Sequence, residues 1–219
     1  MSEDVTRRVG RFFDGYAAQF DSIYGHAGRR SWAGRLVDRT WRRTMFRRFR
    51  EVLRRTADPA VRSVLDVGCG PGRYLVEFAG QGKQVVGLDI SAEMLEVARA
   101  RLAAAGREGV ALVHASYLDY RSPEPVDVAV LMGFMDYVED ARPILAKLAR
   151  EARRAYVSFP KREGFLAWQR AVRYRRRDCP LYLYSGDEVR RLLDGAGWQG
   201  RYEILDLGRD RFVAVGPSG

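Results

Sequence analysis

Residues 64–74, VLDVGCGPGRY, decide how this chain folds. Val64, Leu65 and Val67 form a short apolar run with one acid, Asp66, near its end, and Gly68, Gly70 and Gly72 follow at alternate positions. Leu75, Val76, Phe78 and Ala79 then recur at helical steps. The pattern predicts a buried strand, a tight glycine loop and a helix start. Glycine tolerates positive φ and leaves room for close approach to the main chain. The helix start adds unpaired N–H groups and a partial positive charge beside the loop. The spacing is G-x-G-x-G, not the G-x-G-x-x-G of a dinucleotide fingerprint. The next apolar run, residues 85–89 (VVGLD), ends in a second acid, Asp89, where a ribose would be held.

Working outward, strands are expected near 62–68, 84–89, 110–114, 126–132 and 153–159, with helices near 72–80, 91–105, 140–150 and 185–196. Such alternation makes an α/β, doubly wound, mostly parallel sheet with helices on both faces. Ser91 is placed to cap a helix whose Met94, Leu95, Ala98 and Leu102 turn inward, and Ser185 and Glu188 have the spacing of a capping box. The stretches 202–207 and 211–215 read as a closing hairpin at the sheet edge, for seven strands in all. Upstream, Val5, Val9, Phe12, Phe13, Tyr16 and Phe20 recur on one helical face, and Trp32 to Leu53 carry a second apolar stripe. Residues 1–59 are therefore expected to add a helical cap or lid to a domain spanning 60–219. Tyr16 and Tyr24 are kept as candidate site residues. Residues 160–184 interrupt the alternation with a short amphipathic helix around Phe165, Leu166, Trp168, Val172 and Tyr174. Leaving the fifth strand at its C-terminal end, this insertion either covers the ligand site or thickens one face.

A chain of 219 residues supports one sizeable core. No apolar run is long enough for a membrane span, and MSEDVTRRVG has no signal-peptide h-region, so a cytoplasmic protein is expected. The cysteines Cys69 and Cys179 and the histidines His26 and His114 lack metal-site spacing, and no metal is expected. The formal charge is +10, and only three of the 38 basic residues are lysines. Residues 29–55 hold eleven arginines against two acids, and residues 161–177 hold seven basic residues against one acid. Such clusters suit an anionic substrate, a nucleic acid, an acidic membrane surface or a solvated helix face, and the sequence leaves these open.

The glycine loop, Asp89 and the closing hairpin together resemble the class I S-adenosylmethionine (SAM)-dependent methyltransferases over about residues 60–216. The resemblance implies that Gly68, Cys69 and Gly70 line the methionine half of SAM, that Asp66 orients its amino group and that Asp89 holds the ribose. It also implies that Ile90 packs against the adenine, that Met94 belongs to the cofactor site, and that Ser116, with Tyr117 beside it, stands after the third strand where many members place an adenine-contacting acid. Met132 and Gly133 would border the transferred methyl. Asp136, in MGFMDYVED, is implied as a general base or a substrate anchor, and reads equally as a helix-start acid. Within the family, the magnesium-protoporphyrin IX O-methyltransferases are nearest in pattern. They resemble this chain in FDSIYG, in LAREARRAYVSFPK and in YLYSGDEVRRLL, with a histidine where Asp136 stands here. Tyr24 matches a tyrosine that lies over the active site in that subgroup, which implies that Asp136 or Tyr24 positions or deprotonates the nucleophile. The expected function is SAM-dependent methylation of an oxygen or nitrogen of a small molecule, anionic or aromatic. The alternatives are an RNA methyltransferase using the arginine clusters and a SAM-binding partner protein without turnover.

Overall fold

The structure, a computed structural model, describes residues 3–15, 32–174 and 179–216. Tyr16 and Tyr24 lie outside the described residues. In chain order the elements are α1 (Glu3–Asp14), α2 (Trp32–Thr56), β1 (Ser63–Val67), α3 (Arg73–Gly80), β2 (Gln84–Asp89), α4 (Ala92–Ala104), β3 (Ala111–His114) and β4 (Val126–Leu131). A single 3-10 turn (Met135–Tyr137) follows, then α5 (Arg142–Glu151), β5 (Ala152–Pro160), α6 (Phe165–Tyr174), α7 (Gly186–Gly195), β6 (Tyr202–Asp206) and β7 (Asp210–Val215).

The strands form one seven-stranded sheet in the order β3-β2-β1-β4-β5-β7-β6. β1 to β5 pair in parallel, and β7 lies antiparallel between β5 and β6. β1 sits between β2 and β4, with Leu65 opposite both Val86 and Ala129. The strand order reverses there, which opens a crevice at the C-terminal ends of β1 and β4.

Because side chains alternate across a strand, β1 feeds two cores. Val64 joins Val128, Val130, Tyr156 and Phe212 beneath Val52 of α2, Leu75 and Phe78 of α3, and Leu95, Ala98 and Leu102 of α4. Leu65 and Val67 join Leu131, Val157 and Val213 beneath Ile144, Leu145 and Leu148 of α5 and Val189 and Leu193 of α7. Both expected caps form. Ser91 Oγ accepts from Met94 N, and Ser185 and Glu188 make a reciprocal capping box.

The upstream helices are fastened to this frame. In α2, Thr44 Oγ1 donates to Leu207 O at 3.0 Å and Arg55 pairs with Glu203 at 2.6 Å. α1 crosses the end of β2, where the Ser91 hydroxyl donates to Asp14 Oδ1 at 2.6 Å, and Phe13 meets the Tyr137 ring edge-on at 5.2 Å. After β5 the chain forms α6 and returns through Tyr184, whose hydroxyl donates to Val138 O at 2.6 Å. Among the described residues, no helix is long and apolar enough to cross a membrane.

Candidate active site

The glycine loop is pinned from two sides. Gly68 N and Cys69 N both donate to Leu88 O, at 2.7 and 3.0 Å, and Arg101 of α4 donates to Pro71 O at 2.6 Å. Gly72 has φ +75°, and a Cβ there would sit 2.9 Å from the Ala98 Cβ, so only glycine lets α4 approach. Gly70 differs: at φ +51° its missing Cβ points into open space, with nothing within 4 Å. The loop is therefore closed against α4 and open at Gly70, where a ligand can reach the main chain.

Two buried carboxylates flank that opening. Asp89 accepts from Gly70 N at 2.8 Å through Oδ2 and from Ser91 N at 2.9 Å through Oδ1. Its carboxyl is nevertheless held above the usual range, because burial outweighs these bonds. Asp66 is only 2% exposed, and its Oδ2 has no hydrogen-bond partner. Burial first, and then the charge of Asp89, push the Asp66 carboxyl up to about 8. A buried acid without a partner beside a second acid is costly unless a cation joins it. The pair thus presents a site for a ligand bearing hydroxyls and a positive charge. Cys69, also buried, has its thiol pushed up by burial and then by the two aspartates, which makes it an inert wall rather than a nucleophile.

The other half of the crevice, at the ends of β4 and β5, is ionic. Arg170 of α6 binds Asp136 Oδ1 at 2.7 Å and Asp210 Oδ1 at 3.2 Å. Arg48 of α2 binds Asp210 Oδ2 at 3.1 Å and donates to Ser158 Oγ at 3.2 Å. Ser158 Oγ in turn accepts from Gly133 N at 2.7 Å. All four charged side chains are close to nine-tenths buried. The Asp136 carboxyl is raised to about 6, chiefly by burial, with Arg170 and Arg48 pulling it down and Asp210 pushing it up. Its main chain is held too, since Tyr182 N donates to Asp136 O at 2.9 Å. Beside it, the Tyr137 and Tyr174 hydroxyls meet at 3.3 Å.

Of the residues singled out from the sequence, Asp66, Gly68, Cys69, Gly70 and Asp89 gather around the loop. Ile90 lies under α1, where a Cβ on Gly10 would come within 3.6 Å of its carbonyl. Met132 and Gly133 stand half-buried at the end of β4. Met94 is buried in the first turn of α4, its N–H bonded to Ser91. Ser116 uses its carbonyl to close a turn, accepting from Asp119 N and Tyr120 N. Tyr117 is 2% exposed and packs in the core with Lys147 Nζ 5.1 Å from its ring centroid. Asp136 stands where the sequence placed it, but its carboxylate is committed to Arg170. Sequence reasoning missed Arg48, Arg170, Asp210 and Ser158. The basic clusters pointed to the first two only as members of a crowd.

Residues 64–155 match a protein-family model described as "Methyltransferase domain". Among curated relatives, the ubiquinone biosynthesis O-methyltransferase of Thiobacillus denitrificans is 37% identical over 92 residues, covering 42% of this chain and 40% of the relative. The demethylmenaquinone methyltransferase of Shouchella clausii is 36% identical over 95 residues, covering 42% of this chain and 40% of that protein. The chain thus spans less than half the length of these relatives. Among solved structures, the magnesium protoporphyrin IX methyltransferase of Synechocystis with bound SAM superposes with a TM-score of 0.73 at 21% identity, covering 99% of each chain. Residues 64–155 thus match a methyltransferase domain, and the chain as a whole has the fold of the class I methyltransferases.

Proposed function

We propose that the protein transfers the methyl group of SAM to an oxygen or nitrogen of a small-molecule acceptor that is aromatic or anionic. The observation that carries the reading is the Asp66–Asp89 pair beside the open face of Gly70. Asp89 keeps unused lone pairs for ribose hydroxyls, and Asp66 Oδ2 lacks the partner that the amino group of SAM would supply. When bound, SAM brings a methyl already activated by its sulfonium. The protein has then only to align, shield and, where needed, move a proton.

Gly68, Cys69 and Gly70 would line the methionine half through their main chain, and Ile90 would pack on the adenine. Met132 and Gly133 border the space between cofactor and acceptor. Residues 1–59 act as a cap on a transferase domain of residues 60–219. The contacts of Asp14 with Ser91 and of Phe13 with Tyr137 support that role for α1, and the ion pairs of Arg170 support it for α6. Asp136 positions this cover through Arg170 and, once released from it, serves the acceptor. The curated relatives are named for ubiquinone biosynthesis and for demethylmenaquinone, which supports an aromatic acceptor. The RNA reading loses Arg48 and Arg170, which are neutralised inside the fold, and retains only exposed arginines such as Arg43, Arg47 and Arg50.

The test is release of S-adenosylhomocysteine from SAM against a panel of phenols, catechols, quinols and aromatic acids. Turnover with one class, lost in Asp89→Ala, supports the reading. SAM binding without turnover on any class, RNA included, favours a binding protein.

A further inference from the structure

Among the described residues, the large apolar side chains that stand exposed are Phe46, Phe165, Trp168 and Val172. All four lie on α2 or α6. On α6, Phe165, Trp168 and Val172 recur at steps of three and four, 67%, 61% and 42% exposed, while Ala167 is buried and Arg170 turns into the ionic cluster. Phe165 and Trp168 stack with ring centroids 5.7 Å apart. On α2, Arg43, Phe46, Arg47 and Arg50 are exposed at i, i+3, i+4 and i+7, while Thr44 is buried. The two helices are neighbours, because Arg48 and Arg170 bind the two oxygens of one carboxylate, Asp210.

A helix with an indole and a phenyl ring in water, beside a helix with three arginines around another phenyl ring, has the makeup of an interfacial surface. Aromatic rings settle at the headgroup level, and arginines are drawn to anionic headgroups. We propose that these outward faces of α6 and α2 dock the protein on an anionic lipid bilayer. Charge selects the bilayer over a second copy of this chain. A two-fold contact would set Arg43, Arg47 and Arg50 against their own images in a protein of net charge +10. The proposal is independent of the methyl-transfer reading, because none of its residues touches the glycine loop or Asp89.

The test is co-sedimentation of the full chain with vesicles of phosphatidylcholine alone and of phosphatidylcholine mixed in equal parts with phosphatidylglycerol. Binding is expected only to the mixed vesicles, weakening as salt is added. Phe165→Ser and Trp168→Ser should each reduce it by about tenfold or more, the scale of one aromatic side chain withheld from an apolar phase. Both sites are exposed, so the urea midpoints of these variants should match the parent and remove misfolding as an explanation. A triple Arg43→Gln, Arg47→Gln, Arg50→Gln variant should lose the preference for phosphatidylglycerol. Equal binding to both vesicle types, binding unchanged by Phe165→Ser and Trp168→Ser, or no binding at low salt overturns the proposal. So does a dimer that forms without lipid and dissociates in Trp168→Ser.

Discussion

Arg170→Met tests the ionic cluster that ties α6 to the sheet. In the parent, Arg170 bonds Asp136 at 2.7 Å and Asp210 at 3.2 Å. Burial already holds the Asp136 carboxyl at about 6, above its ordinary 3.8, with Arg170 in place. The native state therefore keeps a proton that the unfolded state has lost, and stability falls as pH rises from about 4 to about 6, then levels. Removing Arg170 leaves burial and the Asp210 charge unopposed by it, so the carboxyl climbs further and the fall continues above pH 6. Below that point both proteins hold a neutral Asp136, and the variant loses a hydrogen bond, packing and one of the two arginine partners of Asp210, about 2 kcal/mol in all. At pH ~8 the variant must bury an uncompensated charge or take up a proton. The second route costs about 1.36 kcal/mol for each of two pH units, or about 3 kcal/mol. Urea unfolding at pH ~5.5 and pH ~8 reads both values. A loss that does not change with pH, or one below ~1 kcal/mol at pH ~8, would refute the reasoning.

Further outcomes are expected. Gly72→Ala forces a side chain into left-handed backbone and against Ala98 at 2.9 Å, and should destabilise by about 2–4 kcal/mol in urea melts, whereas Gly70→Ala meets no neighbour and should cost about half as much or less. The Asp66 carboxyl at about 8 also lies above its ordinary value, so it lowers stability progressively as pH rises through that window. Asp66→Asn should therefore gain about 2 kcal/mol or more on the parent near pH 8.5, and little near pH 4, in thermal melts. For the same reason, capture of an amino group by Asp66 at pH 7 should release close to one proton. Calorimetry in buffers of different ionisation enthalpy would show it. Cys69 and Cys179 are buried and should resist an aromatic disulfide reagent until the chain unfolds; rapid labelling of either in the folded protein would contradict the packing described.

What the sequence made legible was local. The strand–loop–helix around Gly68–Gly72, the acid ending β2 and the caps at Ser91 and Ser185 are set by neighbours a few residues away, and each stands where it was expected. The alternation of strands and helices carried the sheet as well, since parallel strands require crossover helices. The ionic cluster was not legible for the opposite reason. Arg48, Asp136, Ser158, Arg170 and Asp210 come from five separate elements, and each alone looks like a surface residue of a basic protein. The two residues after β3 differ because neighbours in a turn face different ways: Ser116 stays half-buried while the Tyr117 ring enters the core under Lys147. Asp136 was found by position, but nothing near it in sequence announces Arg170.

The most direct test of the central claim is calorimetric titration of S-adenosylhomocysteine into the folded protein and into Asp89→Ala. Saturable one-site binding to the parent is expected, weakened by about tenfold or more in the variant, which loses a charged acceptor for two hydroxyls. No binding to folded parent free of copurified ligand, or equal binding to both proteins, would contradict the assignment of the Gly70–Asp89 crevice as the SAM site.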